Sequence, residues 1–245
     1  MLPFQPITAQ NLRDLRAICG NCSMRELCLP VGLDAQEVET LDALINTRRR
    51  LERGEALYRT GDPFHALYAV RRGFLKTFVV HEDGREQVTG FQMTGEILGM
   101  DAISTDHHAC DALALEDTEV CEVPFDALEH LSGTLPTLRR HFHKTLSREI
   151  VRDQGLMLLL GSMRAEERLA AFLLNLGQRF GDRGYSRVAF NLRMTREEIG
   201  SYLGMKLETV SRTLSRFQEE GLIVVQGKAI ELLQVEKLKA LTSCR

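Results

Sequence analysis

Three cysteines stand within ten residues near the start of the chain, in the stretch Cys19-Gly-Asn-Cys22-Ser-Met-Arg-Glu-Leu-Cys28. This spacing constrains the fold, because one short loop can bring all three thiols to a single centre without spanning a domain. Thiolates are soft ligands for zinc and for iron–sulfur clusters, and both kinds of centre take a fourth ligand. The spacing alone leaves open the metal and the fourth ligand, for which the chain offers Cys110, Cys121 and Cys244.

The composition indicates two domains of ordinary hydrophobicity. The chain has 245 residues, of which 44% are hydrophobic, and this is enough for two domains with separate cores. The first ten residues lack the basic start and apolar core of a secretory signal, and apolar runs such as Leu156–Leu160 are too short to cross a membrane. We therefore expect a cytoplasmic protein without a membrane partner, in a compartment where clustered thiols bind metal or act in redox chemistry.

The middle of the chain has the pattern of a β-structure. A helical pattern over Val31–Thr47 comes first, and from Arg49 to Val123 short apolar segments such as Phe74–Val80 alternate with turn signals such as Gly61-Asp62-Pro63. Short strands at this spacing are typical of an antiparallel barrel or jelly roll.

A long helix is predicted from Pro136 to about Leu160. Its apolar residues recur every three or four positions, as in the seam of a coiled coil. We expect this helix to pair with its copy in a homodimer, through an interface of Leu146, Ile150, Asp153, Met157 and Leu160. Asp153 is the exception in this seam, because two aspartates facing each other in a parallel dimer would repel.

The C-terminal part has the pattern of a winged helix-turn-helix. Thr195-Arg-Glu-Glu198 is a capping box that starts a short helix. Gly204 ends that helix, a second helix runs from Lys206 to Glu220, and two strands around Gln226-Gly-Lys228 form the wing. Residues 161–245 carry 14 Lys and Arg against 10 Asp and Glu, a basic balance that favours a polyanionic partner.

The second of these helices presents a polar stripe that predicts DNA recognition. Glu208, Ser211, Arg212 and Ser215 share one face of the helix, opposite the packed one. An Arg can donate to guanine O6 and N7, a Glu can accept from the cytosine amine, and a Ser can contact either. Inside a helix-turn-helix, this face is expected to enter the major groove of double-stranded DNA.

A cysteine loop, a glycine-rich β-roll, a long pairing helix and a winged helix-turn-helix, in this order, resemble one family. The chain is similar over essentially its whole length to the FNR-type, oxygen-responsive branch of the CRP/FNR transcription factors. The resemblance lies in the cysteine loop and in Gly61–Pro63, Glu86–Phe91, Val120–Phe125, Ala165–Phe172 and Glu208–Arg212. It implies an α+β fold with a cysteine-rich segment (1–30), an antiparallel β-roll of the cyclic-nucleotide-binding jelly-roll type (31–134), a dimerisation helix (135–160) and a winged helix-turn-helix domain (161–245).

The resemblance also implies a cofactor and partners. The family's ligands for an oxygen-labile 4Fe–4S cluster fall on Cys19, Cys22, Cys28 and Cys121. Cys121 is assigned by its place in Val-Cys-Glu-Val-Pro-Phe (120–125). In the family, the intact cluster supports dimerisation and binding to palindromic TTGAT-type sites, which control anaerobic metabolism, and RNA polymerase is a further partner.

Two departures from the superfamily pattern affect the expected partners. The cyclic-nucleotide branch places an Arg-Ser pair after its Gly-Glu-Leu turn, whereas here Gly95-Glu-Ile-Leu98 is followed by His107-His-Ala-Cys110. Because a buried phosphate needs a cation, we expect no cyclic nucleotide to bind. Arg85, in the turn His81–Arg85, stands where the family's polymerase-contacting loop has an acidic residue, which weakens the expectation of that contact.

Two other functions fit parts of the sequence. A zinc- or thiol-based redox regulator would have the same DNA-binding module and would differ in iron content. An electron carrier or iron–sulfur enzyme would need no helix-turn-helix, and the sequence shows no nucleotide loop, catalytic triad or metal-hydrolase motif. His107-His108 is interpreted as a loop pair, and the chain is predicted not to be an enzyme.

Overall fold

A computed structural model describes residues 19–45 and 47–242 of the chain. Within these residues the chain forms two compact units. The first unit contains the described residues up to Thr77 and Phe91–Leu146, and the second contains Phe78–Gly90 and the described residues from Ser147 onward.

No helix in the described part of the chain combines the length and hydrophobicity required of a membrane span. Cys244 lies outside the described residues.

The N-terminal half is built on two antiparallel sheets. Helix α1 (Ala35–Leu44) begins at Asp34, whose carboxylate accepts from the backbone N–H of Glu37 in a capping box. It is shorter than the predicted Val31–Thr47, because the cap fixes its start and Thr47 already belongs to a strand. The strands that follow are β1 (Thr47–Leu51), β2 (Ala56–Tyr58), β3 (Ala66–Arg72), β4 (Phe74–Val80), β5 (Glu86–Met93), β6 (Ile97–Leu98), β7 (Asp111–Ala114) and β8 (Thr118–Pro124).

The strand order explains how residues that are distant in sequence become neighbours. One sheet has the order β1-β8-β3-β6 and the other β2-β7-β4-β5. β8 therefore lies between β1 and β3, with Cys121 opposite both Arg48 and Ala69. This arrangement confirms the predicted antiparallel β-roll.

Helices close the apolar face of the first sheet. Helix α2 (Phe125–Thr134) buries Leu128 and Leu131, and helix α3 (Pro136–Ser162) buries Leu138. The long helix is confirmed with the predicted start. The sequence analysis did not identify α2, which is only ten residues long and therefore shows its period over fewer than three turns.

The C-terminal fold is the predicted helix-turn-helix. Its helices are α4 (Ala165–Gly181), α5 (Arg196–Leu203), α6 (Leu207–Glu219) and α7 (Val235–Thr242), and its strands are β9 (Ala189–Asn191), β10 (Ile223–Gln226) and β11 (Ala229–Leu232). The capping box is present, since Thr195 Oγ1 accepts from the N–H of Glu198 at 3.1 Å and Glu198 accepts from the N–H of Thr195 at 2.7 Å. β10 and β11 pair as a hairpin, with β9 on the other side of β11.

Two glycines make the turn between α5 and α6 possible. Gly204 ends α5 with a φ of 61°, in the left-handed region that favours glycine. Gly200 lies so close to the turn that a Cβ built on it would be 2.6 Å from the carbonyl oxygen of Met205. The backbone of the turn can therefore approach α5 this closely because Gly200 has no side chain.

Arg168 joins three backbone segments of the second unit. Its guanidinium donates to the carbonyl oxygens of Leu160 at 2.7 Å, Met163 at 2.8 Å and Leu203 at 3.0 Å. These acceptors lie near the end of α3, in the α3–α4 connection and at the end of α5. Charge-assisted hydrogen bonds of this kind satisfy helix-terminal carbonyls that have no partner within their own helix.

The Gly200 contact predicts a specific loss of stability. Gly200→Ala should lower the free energy of unfolding by about 1–3 kcal/mol, because backbone must move to accept the new methyl group. The matched control is Gly133→Ala in α2, where a built Cβ meets nothing within 4 Å and helix propensity favours alanine. Urea denaturation of both variants measures the difference. Equal destabilisation by the two changes would contradict this account of the turn.

Candidate metal centre and nucleic-acid interface

The cysteine loop is a chain of tight turns. The N–H of Cys22 donates to the carbonyl of Cys19 at 3.1 Å, that of Arg25 to Cys22 at 3.1 Å and that of Val31 to Cys28 at 3.2 Å. The start of the loop is fixed to α1, because the N–H of Cys19 donates to the Asp42 carboxylate at 2.6 Å. The loop thus folds back on itself around its cysteines, as the spacing predicts.

The structure brings all four predicted ligands to one cavity. Cys19, Cys22 and Cys28 line it from the loop, and Cys121 lines it from β8. The other walls of this cavity are mostly apolar, with Met24, Leu29, Pro30, Ile45, Ala69 and Val70 among them. Cys110 is not part of this lining.

Burial and mutual repulsion raise the pKa of three of these thiols. Burial raises the pKa of Cys28 to about 12, and the neighbouring Cys121 and Cys22 add to the increase. Burial also raises the pKa of Cys19, together with its hydrogen bond to Asp42, and the pKa of Cys121. Four thiolates in so small a space would repel one another, so a cation among them would favour ionisation.

This donor set fits a soft metal centre. Four sulfur ligands in a mostly apolar cavity suit an iron–sulfur cluster or zinc, and binding of either would release the thiol protons. Among residues 19–45 and 47–242, no three His, Cys, Asp or Glu side chains are positioned as the ligands of a single metal ion. The ligand assignment of Cys19, Cys22, Cys28 and Cys121 stays a prediction.

Charged side chains next to the cavity were missed by the sequence analysis. Arg71 and Arg25 line the cavity, and Arg71 donates to Glu119 at 2.7 Å. Arg48 pairs with Cys121 across β1 and β8 and lies 3.8 Å from the same carboxylate. The basic run Arg48-Arg49-Arg50 was visible in the sequence, but its proximity to Cys121 depends on strand pairing.

His108 and Cys110 belong to a separate buried cluster. The His108 ring is only 3% exposed and stacks on Tyr58, with a centroid separation of 3.7 Å. Its Nδ1 lies 3.5 Å from Asp101 Oδ2. Burial, followed by the Asp101 charge, raises the pKa of Cys110 to about 12. His108 is thus a packed side chain, whereas His107 is exposed. The interpretation of the two as a loop pair and the absence of cyclic-nucleotide binding stay predictions.

The recognition helix α6 presents the predicted polar face. Glu208, Arg212 and Ser215 are exposed and Ser211 is half-buried, whereas Val210, Leu214 and Phe217 on the opposite face are buried. Arg216 has a different role, because it forms ion pairs with Glu220 at 2.9 Å and with Glu166 of α4. The stripe therefore contains one arginine, Arg212, on a helix held by its apolar side, and its role in base reading stays a prediction.

The predicted dimer seam is an apolar surface of α3 in the single chain. Ile150 is 58% and Met157 69% exposed, and Leu146 and Leu160 are half-buried. Asp153 is exposed within this row, and the adjacent Arg152 pairs with Glu149 at 2.5 Å. Exposed apolar residues in a row are typical of an interaction surface.

The β4–β5 hairpin contacts the first helix of the helix-turn-helix within the second unit. Ser201 Oγ accepts from the N–H of Val88 at 2.8 Å and donates to the carbonyl of Glu86 at 2.9 Å. In the hairpin turn, Arg85 pairs with Asp83 at 2.7 Å, and both side chains are exposed. The polymerase contact suggested for this turn stays a prediction.

Comparison with known proteins assigns both parts of this molecule to one family. The profile of the "Crp-like helix-turn-helix domain" matches residues 167–241, and that of the "Cyclic nucleotide-binding domain" matches residues 48–134. The transcriptional activator protein Anr of Pseudomonas aeruginosa is 47% identical over 226 residues, which cover 92% of this chain and 93% of the relative. The chain belongs to the CRP/FNR family of transcription regulators.

Further relatives agree with this CRP/FNR assignment. The fumarate and nitrate reduction regulatory protein of Salmonella typhimurium is 45% identical over 223 residues, which cover 91% of this chain and 89% of the relative. The solved structure of FixK2 from Bradyrhizobium japonicum has a TM-score of 0.75 and 31% identity, and covers 81% of this chain and 98% of that one. The chain is thus a DNA-binding transcription regulator, and the prediction that it is not an enzyme is confirmed by these relatives.

The thiol pKa values predict alkaline destabilisation of the reduced, metal-free regulator. Burial raises the pKa of Cys28 and Cys110 to about 12, from an ordinary value of 9.0. Above pH 9.0 the unfolded chain therefore loses protons that the folded chain keeps. The stability that depends on these thiols is fully present below pH 9.0 and is lost as the pH rises towards about 12.

Urea denaturation at about pH 8 and about pH 10.5 measures this effect. The midpoint should fall at the higher pH, and Cys110→Ala should reduce the difference by removing one of the buried thiols. The prediction fails if the wild-type midpoint is the same at both pH values, or if Cys110→Ala retains the full difference.

Proposed function

We propose that this chain is a cytoplasmic, oxygen-responsive transcription regulator that holds a 4Fe–4S cluster on Cys19, Cys22, Cys28 and Cys121. The observation that carries the proposal is the single apolar cavity lined by these four thiols. The relatives add support, because one is named for fumarate and nitrate reduction. We infer that the genes it controls serve anaerobic metabolism.

The protein's own residues explain how a centre in this cavity would affect the fold. When bound, the cluster supplies iron that reacts with oxygen. Three of its ligands lie in a loop of tight turns and the fourth lies on β8, in the middle of a sheet. Ligation would therefore fasten the loop to the sheet, and loss of the cluster would remove the bonds that connect the cysteines of the loop to Cys121.

We infer that the active form is a homodimer paired through α3. The apolar row of Leu146, Ile150, Met157 and Leu160 provides the surface, and Asp153 within it opposes pairing. A small free-energy difference between monomer and dimer is what allows a ligand to shift the population.

The dimer would place two recognition helices on a palindrome of TTGAT-type half-sites, one helical turn apart. Glu208, Ser211, Arg212 and Ser215 would face base edges in the major groove. RNA polymerase is the expected protein partner at the promoter.

The cluster assignment predicts different results for different cysteines. Anaerobically purified wild-type protein should be brown, contain about four irons per chain and bleach in air. Cys22→Ser and Cys121→Ser should abolish the colour, and Cys110→Ser, the matched control from outside the cavity, should retain it. Absorbance and iron analysis measure both properties. Loss of iron in Cys110→Ser with retention in Cys121→Ser would refute the assignment, and zinc in place of iron would favour the zinc-based alternative.

The recognition stripe predicts base-specific readout by Arg212. Arg212→Ala should weaken binding to the preferred palindrome by about 1–3 kcal/mol and relax selection at one guanine in each half-site. Arg216→Ala is the control, since Arg216 pairs with Glu220 and Glu166 and should not affect base selection. Binding to a set of half-site variants at fixed salt measures selection. A uniform loss across all sequences would identify Arg212 as a phosphate contact.

The dimer seam predicts that Asp153 opposes dimerisation. Two carboxylates about 6 Å apart, at an effective dielectric constant of ~20, would weaken dimerisation by about a hundredfold. Asp153→Ala should therefore dimerise and bind DNA in air, with or without the cluster. Asp153→Glu keeps the charge and should behave as the wild type. Sedimentation of the aerobic proteins tests this, and an Asp153→Ala variant that stays monomeric at wild-type concentrations would show that the aspartate does not oppose pairing.

A further inference from the structure

Two arginines and one glutamate form a charged group beside Cys121. We call Arg48, Glu119 and Arg71 the arginine–glutamate group. Arg71 Nη1 donates to Glu119 Oε1 at 2.7 Å, and Arg48 Nε lies 3.8 Å from the same oxygen. Glu119 and Cys121 are two residues apart on β8, so their side chains share one face of the sheet. Arg48 is directly opposite Cys121 on β1.

The group has a net positive charge next to the thiol cavity. Its two guanidinium groups are balanced by one carboxylate, which leaves a charge of one. Arg71 also lines the cavity wall, and its side chain is 38% exposed, whereas that of Glu119 is 14% exposed. The guanidinium is thus held by a largely buried carboxylate, on a residue that lines the cavity and is partly exposed to solvent.

An assembled centre in this cavity would be an anion. Four thiolates outweigh the positive charge of an oxidised iron–sulfur core, and the apolar walls offer little solvation for the excess. A fixed cation in partly desolvated surroundings attracts such a charge more strongly than it would in water. Residues that supply this cation therefore affect how firmly the centre is retained.

We propose that Arg71, positioned by Glu119, retains the anionic cluster in the cavity through charge, and that Glu119 weakens this effect by partial neutralisation. The proposal rests on the proposed cluster-binding function. Arg71 is a positioning residue and not a ligand. Arg48, across the strand pair from Cys121, supplies a second positive charge in the same place.

A charge mechanism and a purely structural ion pair predict opposite effects at Glu119. Arg71→Met removes the cation and should weaken retention in either case. Glu119→Gln keeps an oxygen that can accept from Arg71 but removes the negative charge. In Glu119→Gln, the cluster should be retained more firmly if the charge of Arg71 is decisive. It should be retained less firmly if the ion pair only holds the strands together.

The experiment measures iron release to a ferrous chelator from anaerobically reconstituted full-length protein, followed by absorbance. Arg71→Met should release iron about tenfold faster than wild type, Arg71→Lys should release it at nearly the wild-type rate, and Glu119→Gln should release it more slowly. Arg53→Met is the control, because Arg53 is an exposed arginine of the same unit that is not part of the cavity lining. Its rate should equal that of the wild type.

Salt provides a second readout of the charge contribution, and the sign of the Glu119→Gln effect separates that contribution from a structural ion pair. Raising the salt concentration from about 0.1 M to about 1 M shortens the Debye length from ~10 Å to ~3 Å. Iron release from the wild type should become faster, and the difference in release rate between wild type and Arg71→Met should become smaller. The proposal would be overturned by a wild-type release rate in Arg71→Met, by an equal change in Arg53→Met, by faster release from Glu119→Gln, or by a rate difference between wild type and Arg71→Met that does not depend on salt. Wild-type protein that takes up no iron would instead refute the proposed function itself.

Discussion

The central constraint in this molecule is the enclosure of four thiols in one apolar cavity. Cys19 is held by the Asp42 carboxylate, Cys28 lies in the following turns, and Cys121 is in the middle of a sheet. In the absence of a cation, burial keeps these groups protonated and raises their pKa. A soft metal centre replaces the protons with bonds that connect loop to strand, so occupancy of the cavity and the structure of the loop are coupled.

The DNA-binding unit depends on a different set of interactions. The α5–α6 turn requires glycine at Gly200 and Gly204, and α6 is held by its apolar face and by the Arg216–Glu166 ion pair. Arg168 connects the end of α3 with the end of α5. A change at the end of α3 can therefore reach the helix-turn-helix through hydrogen bonds from the Arg168 side chain to backbone carbonyls within one unit, which is the coupling that a switchable regulator needs.

Features defined by local sequence were predictable, and features defined by long-range pairing were not. The Thr195–Glu198 capping box, the start of α3 at Pro136 and the turn at Gly204 depend on a few neighbouring residues, and all three were predicted from those residues. The contact between Arg71 and Glu119 joins residues 48 positions apart, and no spacing rule connects them. Cys121 could be chosen over Cys110 only through the resemblance, because the sheet order that places it at the loop is not encoded in any short motif.

We propose that this cavity holds an oxygen-labile iron–sulfur cluster and that this cluster controls the oligomeric state. Native mass spectrometry of anaerobically purified protein, before and after exposure to air, tests it most directly. We expect dimers in which each chain carries the mass of one 4Fe–4S cluster, and their conversion in air to monomers that have lost iron. Chains that carry zinc or no metal under both conditions, or dimers unchanged by the loss of the cluster, would contradict the account.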